Sequence, residues 1–254
     1  MVTIKTETEI QYLREGGRRH AAILSTLAAM VAPGVTGRAI DKAGFDLIRE
    51  GMDTPAFLNY RPEGASFPYP ASVCLSVNNE IVHGIPSDRP FVEGDIVSID
   101  IGLIHKKMVT DAAVTVMVGK VSSEAKRLVA ATYEALVAGI AVARGGGRVG
   151  DIGAAIEAVA DKHQFSLAEG LAGHGVGYAV HEDPYIPNTG NSGDGPLLKP
   201  GMVIAIEPML VTGSGAIELL SDGYTFCTAD GGLAAHFEHT VVITKGDALI
   251  LTQV

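Results

Sequence analysis

Apolar positions recur at helical spacing from about Glu7 to Met30, Thr6 and Glu9 have the spacing of a capping box ahead of them, and Pro33-Gly34 follows. This pattern predicts a long helix over 7–30. A second helix is predicted after Thr36, with Ile40, Leu47 and Ile48 on one face and Gly51 at its end. FLNYRPEGASFPYP, residues 57–70, reads as a loop. From SVCLSVNNEIVHG onward the pattern changes to short apolar runs, and DIVSIDIG and AAVTVMVG are strand-like in their valine and isoleucine content.

The order then starts again. Ser122 or Ser123 is placed to cap a long helix carrying Leu128, Leu136, Val137 and Ile140. After a glycine-rich turn, Asp151 is expected to cap another, with Ile152, Ala155, Ile156 and Val159 on one face. Three local matches occur in the same order in both halves: VHGIP (82–86) with GHGVG (173–177), GDIVSID ending at Asp100 with GMVIAIE ending at Glu207, and TDAAVTV with FEHTVVI. The last aligns Asp111 with Glu238. The expected fold is α+β: one domain over 1–254, an internal repeat of roughly 1–120 and 121–254, and two pseudo-twofold halves closing one sheet around a shared site, with helices on the outer face.

Composition narrows the function. With 254 residues and 47% hydrophobic content the chain can bury a substantial core. A net charge of -10 with only 19 Lys and Arg argues against a nucleic-acid footprint. Cys74 and Cys227 are too few for a disulfide framework, and MVTIKTETEI lacks the apolar run of a signal peptide. No run of about 18 apolar residues predicts a membrane span. A cytoplasmic protein is expected.

The chemistry sits in the acids. Asp100 and Asp111 lie eleven apart, and a hairpin with a two-residue loop at His105-Lys106 would set them directly opposite each other. Alone, the pair reads as two solvated strand ends. Glu207, however, follows the apolar run GMVIAI and Glu238 precedes TVVIT, positions where a buried acid is rare. Four carboxylates brought together in a low-dielectric pocket would cost several kcal/mol per ion unless cations balance them. Two divalent cations do so. With His174 the set is oxygen-rich with a single nitrogen, which suits Mn, Fe(II) or Co more than a closed structural zinc site.

VHGIP, DIVSID, TDAAVTV, GHGVG, AIEPM and FEHTVVIT together resemble the motifs of type I methionine aminopeptidases, of the pita-bread metallopeptidase fold, and the likeness extends from IKTETEI to the last strand. The resemblance implies Asp100, Asp111, His174, Glu207 and Glu238 as ligands of two divalent metals (Mn, Fe(II) or Co, with Zn also accommodated), Asp111 and Glu238 bridging. It further implies that His83 and His181 contact the scissile peptide, that His181 stabilises the tetrahedral oxyanion, and that Glu207 shuttles the proton of the attacking water. Tyr69, Cys74 and Tyr224 are implied substrate contacts. The implied partners are N-terminal peptides of nascent proteins, cut by a monomer that binds neither membrane nor nucleic acid; docking on ribosomes is left open. Gly173, Gly175 and Gly177 would let the backbone approach metal and substrate. Asp183-Pro184 is expected to end a strand, with Glu182 solvated or just outside the metal set. Ser66, Val180 and Tyr224 depart from the family's usual tyrosine, phenylalanine and tryptophan, with Phe67 a candidate to fill the space at Ser66, and His236 stands in place of a frequent glutamine. The departures leave residue preference open between methionine and another side chain.

Other signals are weaker. Gly145, Gly147 and Gly150 spell GxGxxG, but the preceding segment is helical by period, whereas a dinucleotide site needs a strand there. No GxSxG elbow occurs, and neither cysteine has an evident local base. His20, His105 and His163 fall in surface-like contexts and are assigned no role. Two alternatives stand beside the resemblance: a proline-specific pita-bread peptidase, whose relatives usually carry an added N-terminal domain for which the helix near Glu7 leaves no room, and a catalytically silent binding module, whose relatives lose ligands retained here.

Overall fold

The computed structural model of the chain describes residues 2–62 and 64–253; Glu63, within the predicted loop, lies outside them. Both N-terminal helices form where the pattern puts them. Helix α1 spans Glu7–Met30 with a reciprocal Thr6–Glu9 capping box, and α2 spans Gly37–Glu50 with Thr36 as its cap. Ser122 caps α3, Ser123–Val142, burying Leu128 and Leu136. Val137 is 48% exposed rather than buried, because one residue of helix turns it about 100° away from Leu136. Helix α4, Val149–His163, starts about one turn earlier than expected. Asp151 is therefore inside it, and its carboxylate caps by accepting the Arg148 N–H at 2.7 Å. The GxGxxG glycines lie between and at the start of two helices, as the period argument required.

Among the described residues a nine-stranded antiparallel sheet organises the rest. At its centre is the hairpin of Ile96–His105 and Met108–Met117. Val73–Val77 flanks the first of these strands. Beyond the second come Glu238–Val242, Val203–Ile206, Ala172–Gly175 and Glu182–Pro187 in turn. Alternation divides the hairpin cleanly. Val97, Ile99, Ile101 and Leu103 are buried against Leu24 and Leu27 of α1 and Ile40 and Ile48 of α2. Ile204, Ile206 and Val241 pack likewise on Leu128, Leu136, Ile152 and Ile156 of α3 and α4. Each such aliphatic side chain contributes roughly 1.5–3 kcal/mol of burial. Ser98, Asp100, Asp111 and Thr115 are left on the opposite face.

The hairpin register corrects one expectation. The turn lies at Lys106-Lys107, both with positive φ (48° and 70°), and His105 pairs with Met108. Asp100 is consequently opposite Ala113, and Asp111 opposite Gly102. Moving the turn one place shifts the partners by two, so the carboxylates become diagonal neighbours while staying on one face.

Two histidines assigned no role are buried. His20 on α1 meets Thr110, Nδ1 to Oγ1 at 3.0 Å, and His105 meets Asp53, Nδ1 to Oδ1 at 2.7 Å. The cause is the close seating of α1 on the hairpin: a Cβ at Gly16 would stand 2.8 Å from the His105 Cβ. His163 is half-buried beside Glu134, 2.8 Å from its Oε2. Both cysteines are free and buried, and among the described residues no helix is long and apolar enough to cross a membrane.

Candidate active site

Sheet register builds the site. Cys74 pairs with Asp100, Asp100 with Ala113, and Ala113 with Glu238, so one row across four strands carries two carboxylates separated by a methyl-sized residue. His239 pairs with Ile206, which brings Glu207, the next residue after that strand, beside Glu238. Asp111 stands one step along from Ala113 on the same face. The strand of His174 lies next in the sheet, with Gly175 paired to Ile204. All four acids are buried, and Asp100 Oδ1, Asp111 Oδ1 and Glu238 Oε1 have no hydrogen-bond partner. Leaving buried charged oxygens unpaired is costly, so these orphans mark a place for cations.

Two groups of donors lie close enough to share an ion. In one, Asp111, His174 and Glu238 offer atoms within 4.8 Å of one another; in the other, Glu207, His236 and Glu238 do. The residue donor set fits divalent metals: hard carboxylate oxygens with imidazole nitrogens. Four of the five expected ligands fall in these groups, Asp100 lines the same cavity outside them, and His236, noted in the sequence only as a departure, joins Glu207 and Glu238.

The electrostatics follow from burial. Loss of water raises Asp100 to about 7, with Glu207 adding to the rise and His236 opposing it. Burial and the neighbouring carboxylates push Asp111 and Glu238 well above the usual carboxylate range. Glu207 differs. Burial again pushes upward, but His236 and His174 outweigh it and hold the carboxyl below its ordinary value.

His174 donates Nδ1–H to the Gly175 carbonyl at 2.9 Å, which turns Nε2 toward the acids. Its ring meets that of His181 edge-on, centroids 4.5 Å apart. His181 opens onto the cavity and pairs through Nδ1 with the Tyr60 hydroxyl at 2.9 Å. Desolvation and then His174 lower its pKa. His83 sits at φ 61°, a strained conformation for a side-chain-bearing residue, and burial lowers its pKa to about 4.

These groups line one cavity of about 150 Å³. His83, His174 and His181, the four acids, Tyr69, Cys74, Tyr224 and Val180 all face it. Tyr69 and Tyr224 pack edge-on at 5.1 Å, and Tyr69 donates its hydroxyl to the Gly84 carbonyl at 2.8 Å, tying the wall to the residue beside His83. Ser66 does not belong to the wall; it is exposed, and Phe67 instead packs on Tyr224, whose hydroxyl donates to the Phe67 carbonyl. Phe57, Tyr60, Leu171 and Met209 also line the cavity and were missed. The only sequence signal for Tyr60 was an aromatic residue in a loop rich in turn formers.

Two expectations around His181 are corrected. The glycines make room for neighbouring chain rather than for metal: a Cβ at Gly173 would stand 2.3 Å from the Ala205 carbonyl oxygen, one at Gly175 2.1 Å from that of Asp183, and one at Gly177 2.5 Å from Lys5 Cε. Asp183-Pro184 lies inside the strand Glu182–Pro187 instead of ending one. Glu182 is not solvated; it is part-buried and accepts from Lys5 and Thr3 and from the N–H groups of Tyr178 and Ala179.

Comparison with known proteins places this architecture. The methionine aminopeptidase of Aquifex aeolicus is 42% identical over 257 residues, covering 99% of each chain. Methionine aminopeptidase 1 of Bacillus subtilis is 41% identical over the whole of both chains. The crystal structure of methionine aminopeptidase from Rickettsia prowazekii superposes with a TM-score of 0.95 at 38% identity, covering 99% of this chain and 100% of that one. The α+β pita-bread fold expected from the motifs is therefore the fold observed. The profile of Metallopeptidase family M24 matches residues 11–245, and with full-length relatives at this identity the chain belongs to that family of metallopeptidases.

Proposed function

We propose that the chain is a metal-dependent methionine aminopeptidase, removing the first residue of nascent proteins in the cytoplasm as a monomer. The carrying observation is that a single cavity joins the carboxylate set to an apolar wall of Tyr69, Cys74, Val180 and Tyr224. Its volume of about 150 Å³ is well below that of pockets for drug-sized ligands, which supports reading one terminal side chain rather than an extended peptide. The halves 1–120 and 121–254 read as repeats of one helix-helix-sheet unit, each contributing two of the four carboxylates.

Asp100, Asp111, His174, Glu207 and Glu238 would hold two divalent ions; Mn, Fe(II), Co and Zn all accept such donors. When bound, the ions supply Lewis acidity at the scissile carbonyl and lower the pKa of the water that attacks it. Glu207, kept ionised by the imidazoles beside it, takes the water's proton and passes it to the leaving amine. Burial keeps Tyr60 protonated, so its hydroxyl donates to His181 Nδ1 and leaves Nε2–H free to donate to the developing oxyanion. His83, uncharged at neutral pH, contacts the peptide nitrogen.

The test is residue release from matched tripeptides beginning with Met, Leu or Pro, using chelated protein resupplied separately with Mn, Co, Fe(II) or Zn. Metal-dependent release of Met alone is expected. Release of Leu or Pro in preference would move the substrate, and no release with any metal would leave a binding module.

A further inference from the structure

Outside the five ligands, the most unusual group in the molecule is His236. It is 1% exposed, and neither ring nitrogen has a hydrogen-bond partner. A buried imidazole with both nitrogens idle is costly. It is also rigidly held. The backbone N–H of His236 donates to Thr115 Oγ1 at 2.9 Å, and Thr115 Oγ1 lies 2.9 Å from the His236 carbonyl, so one side chain of the central hairpin grips the residue at both ends. Met209 pairs with it on the other side. The ring is fixed where it points, toward the acids.

The spacing at Glu207 explains what it points at. His174 Nε2 lies 3.4 Å from Glu207 Oε1, and His236 Nε2 lies 3.4 Å from Glu207 Oε2. These separations are longer than an N–H···O hydrogen bond. They match two donors of one ion: atoms about 2.1 Å from a metal, at angles between octahedral and tetrahedral, are about 3.0–3.4 Å apart. Glu207 thus presents one oxygen to each imidazole. The two donor groups, Asp111 with His174 and Glu238, and Glu207 with His236 and Glu238, each contain one imidazole and meet at Glu238.

We propose that His236 is a sixth metal-binding residue, giving each of the two ions its own imidazole. This rests on the metal-centre reading above and changes its chemistry. A second nitrogen makes the set less oxygen-rich, and imidazole suits Zn, Co and Fe(II) better than Mn. The chain is therefore expected to discriminate against Mn more strongly than a site with one imidazole.

The experiment is proton NMR of the chain loaded with two equivalents of Co(II), in which ring protons of coordinated histidines are shifted far outside the ordinary range. Two coordinated imidazoles are expected in the unaltered chain and one in His236→Gln, with the ratio of Zn to Mn affinity falling about tenfold or more in the variant. Because the first count is made on the unaltered chain, poor folding of the variant cannot decide the matter. One coordinated imidazole with two Co(II) bound overturns the proposal alone, and a weaker affinity in the variant would then mean that His236 only positions Glu207. Failure to bind Co(II) at all overturns the metal-centre reading with it.

Discussion

Lys5 reaches back from the segment ahead of α1 to Glu182, Nζ to Oε2 at 2.7 Å, with the lysine side chain 1% exposed and the glutamate 9%. The same carboxylate receives the Tyr178 and Ala179 N–H groups, and Lys5 N donates to the Gly201 carbonyl at 2.8 Å. Burial raises the pKa of Glu182, but these donors, Lys5 foremost, hold it below the usual range. The residues between are those that bring Val180 and His181 to the cavity.

Lys5→Met is expected to destabilise the chain by about 3 kcal/mol, the low end for orphaning a buried charge, because Glu182 keeps other donors. Displacing His181 should lower kcat/KM about 10- to 100-fold. Urea unfolding and peptide kinetics check the two effects, and unchanged kinetics in the variant would detach the N-terminal segment from the site.

His181→Ala is expected to lower kcat about 100- to 1,000-fold, the range for losing one oxyanion donor, with bound metal unchanged. Tyr60→Phe should cost less, since it frees the tautomer without removing the ring. Steady-state kinetics beside metal analysis separate this from damage to the metal set: a loss of metal in His181→Ala would count against the assigned role.

Asp111→Asn is expected to abolish turnover while the fold persists, because the buried carboxylate loses its charge but little of its volume. Metal content should drop below two ions per chain, with circular dichroism unchanged. Normal turnover by this variant would refute the dinuclear mechanism.

Val180 is 6% exposed and lines the cavity, so Val180→Trp, larger than the family's usual phenylalanine, should narrow it. The expected loss of methionine release is about 10- to 100-fold, the worth of a misfit of a few methylenes. Peptides beginning with alanine should be less affected. Equal loss for both would place Val180 outside the specificity wall.

Stability should fall as acid is added through the histidine range. Burial, with His239 facing it, lowers the His20 pKa from 6.5 to about 3, so the native chain holds this ring neutral while the unfolded chain protonates it. A depressed histidine contributes its full stability above the unfolded value and loses it as pH drops toward the folded one. Between pH 7 and pH 5 the loss is about 2 kcal/mol from His20 alone. NMR titration of its ring protons is expected to stay flat down to pH 4; an ordinary midpoint near 6.5 would remove the effect.

Short-range pattern carried a large part of this molecule. The Thr6–Glu9 capping box, the apolar periods and the placement of the four acids were readable because each is a matter of spacing along the chain, while ligand roles came only as what the family resemblance implied. Register was harder. Whether the hairpin turned at His105 or at Lys106 depended on which residues accept positive φ, and two lysines did so against preference. Packing across the chain was invisible. His20 and His105 are buried because α1 comes down close on the sheet at Gly16, and nothing local to either histidine says so. Gly175 was read as freedom near a metal when its cause is the Asp183 carbonyl pressed against it from the next strand. His236 carried a signal only by comparison with a family, since a histidine in a short apolar strand otherwise reads as core.

The tyrosines of the cavity wall and the four acids sit on different pieces of chain. Tyr60 and Tyr69 come from the loop after Ala56, and Tyr224 from the turn closed by Asp222, while all four acids stand at the ends or centre of sheet strands. Loops drift faster than strands whose every register position is fixed by neighbours. A lineage can therefore retune which first residue it accepts, one loop substitution at a time, while the part that breaks the bond is inherited intact.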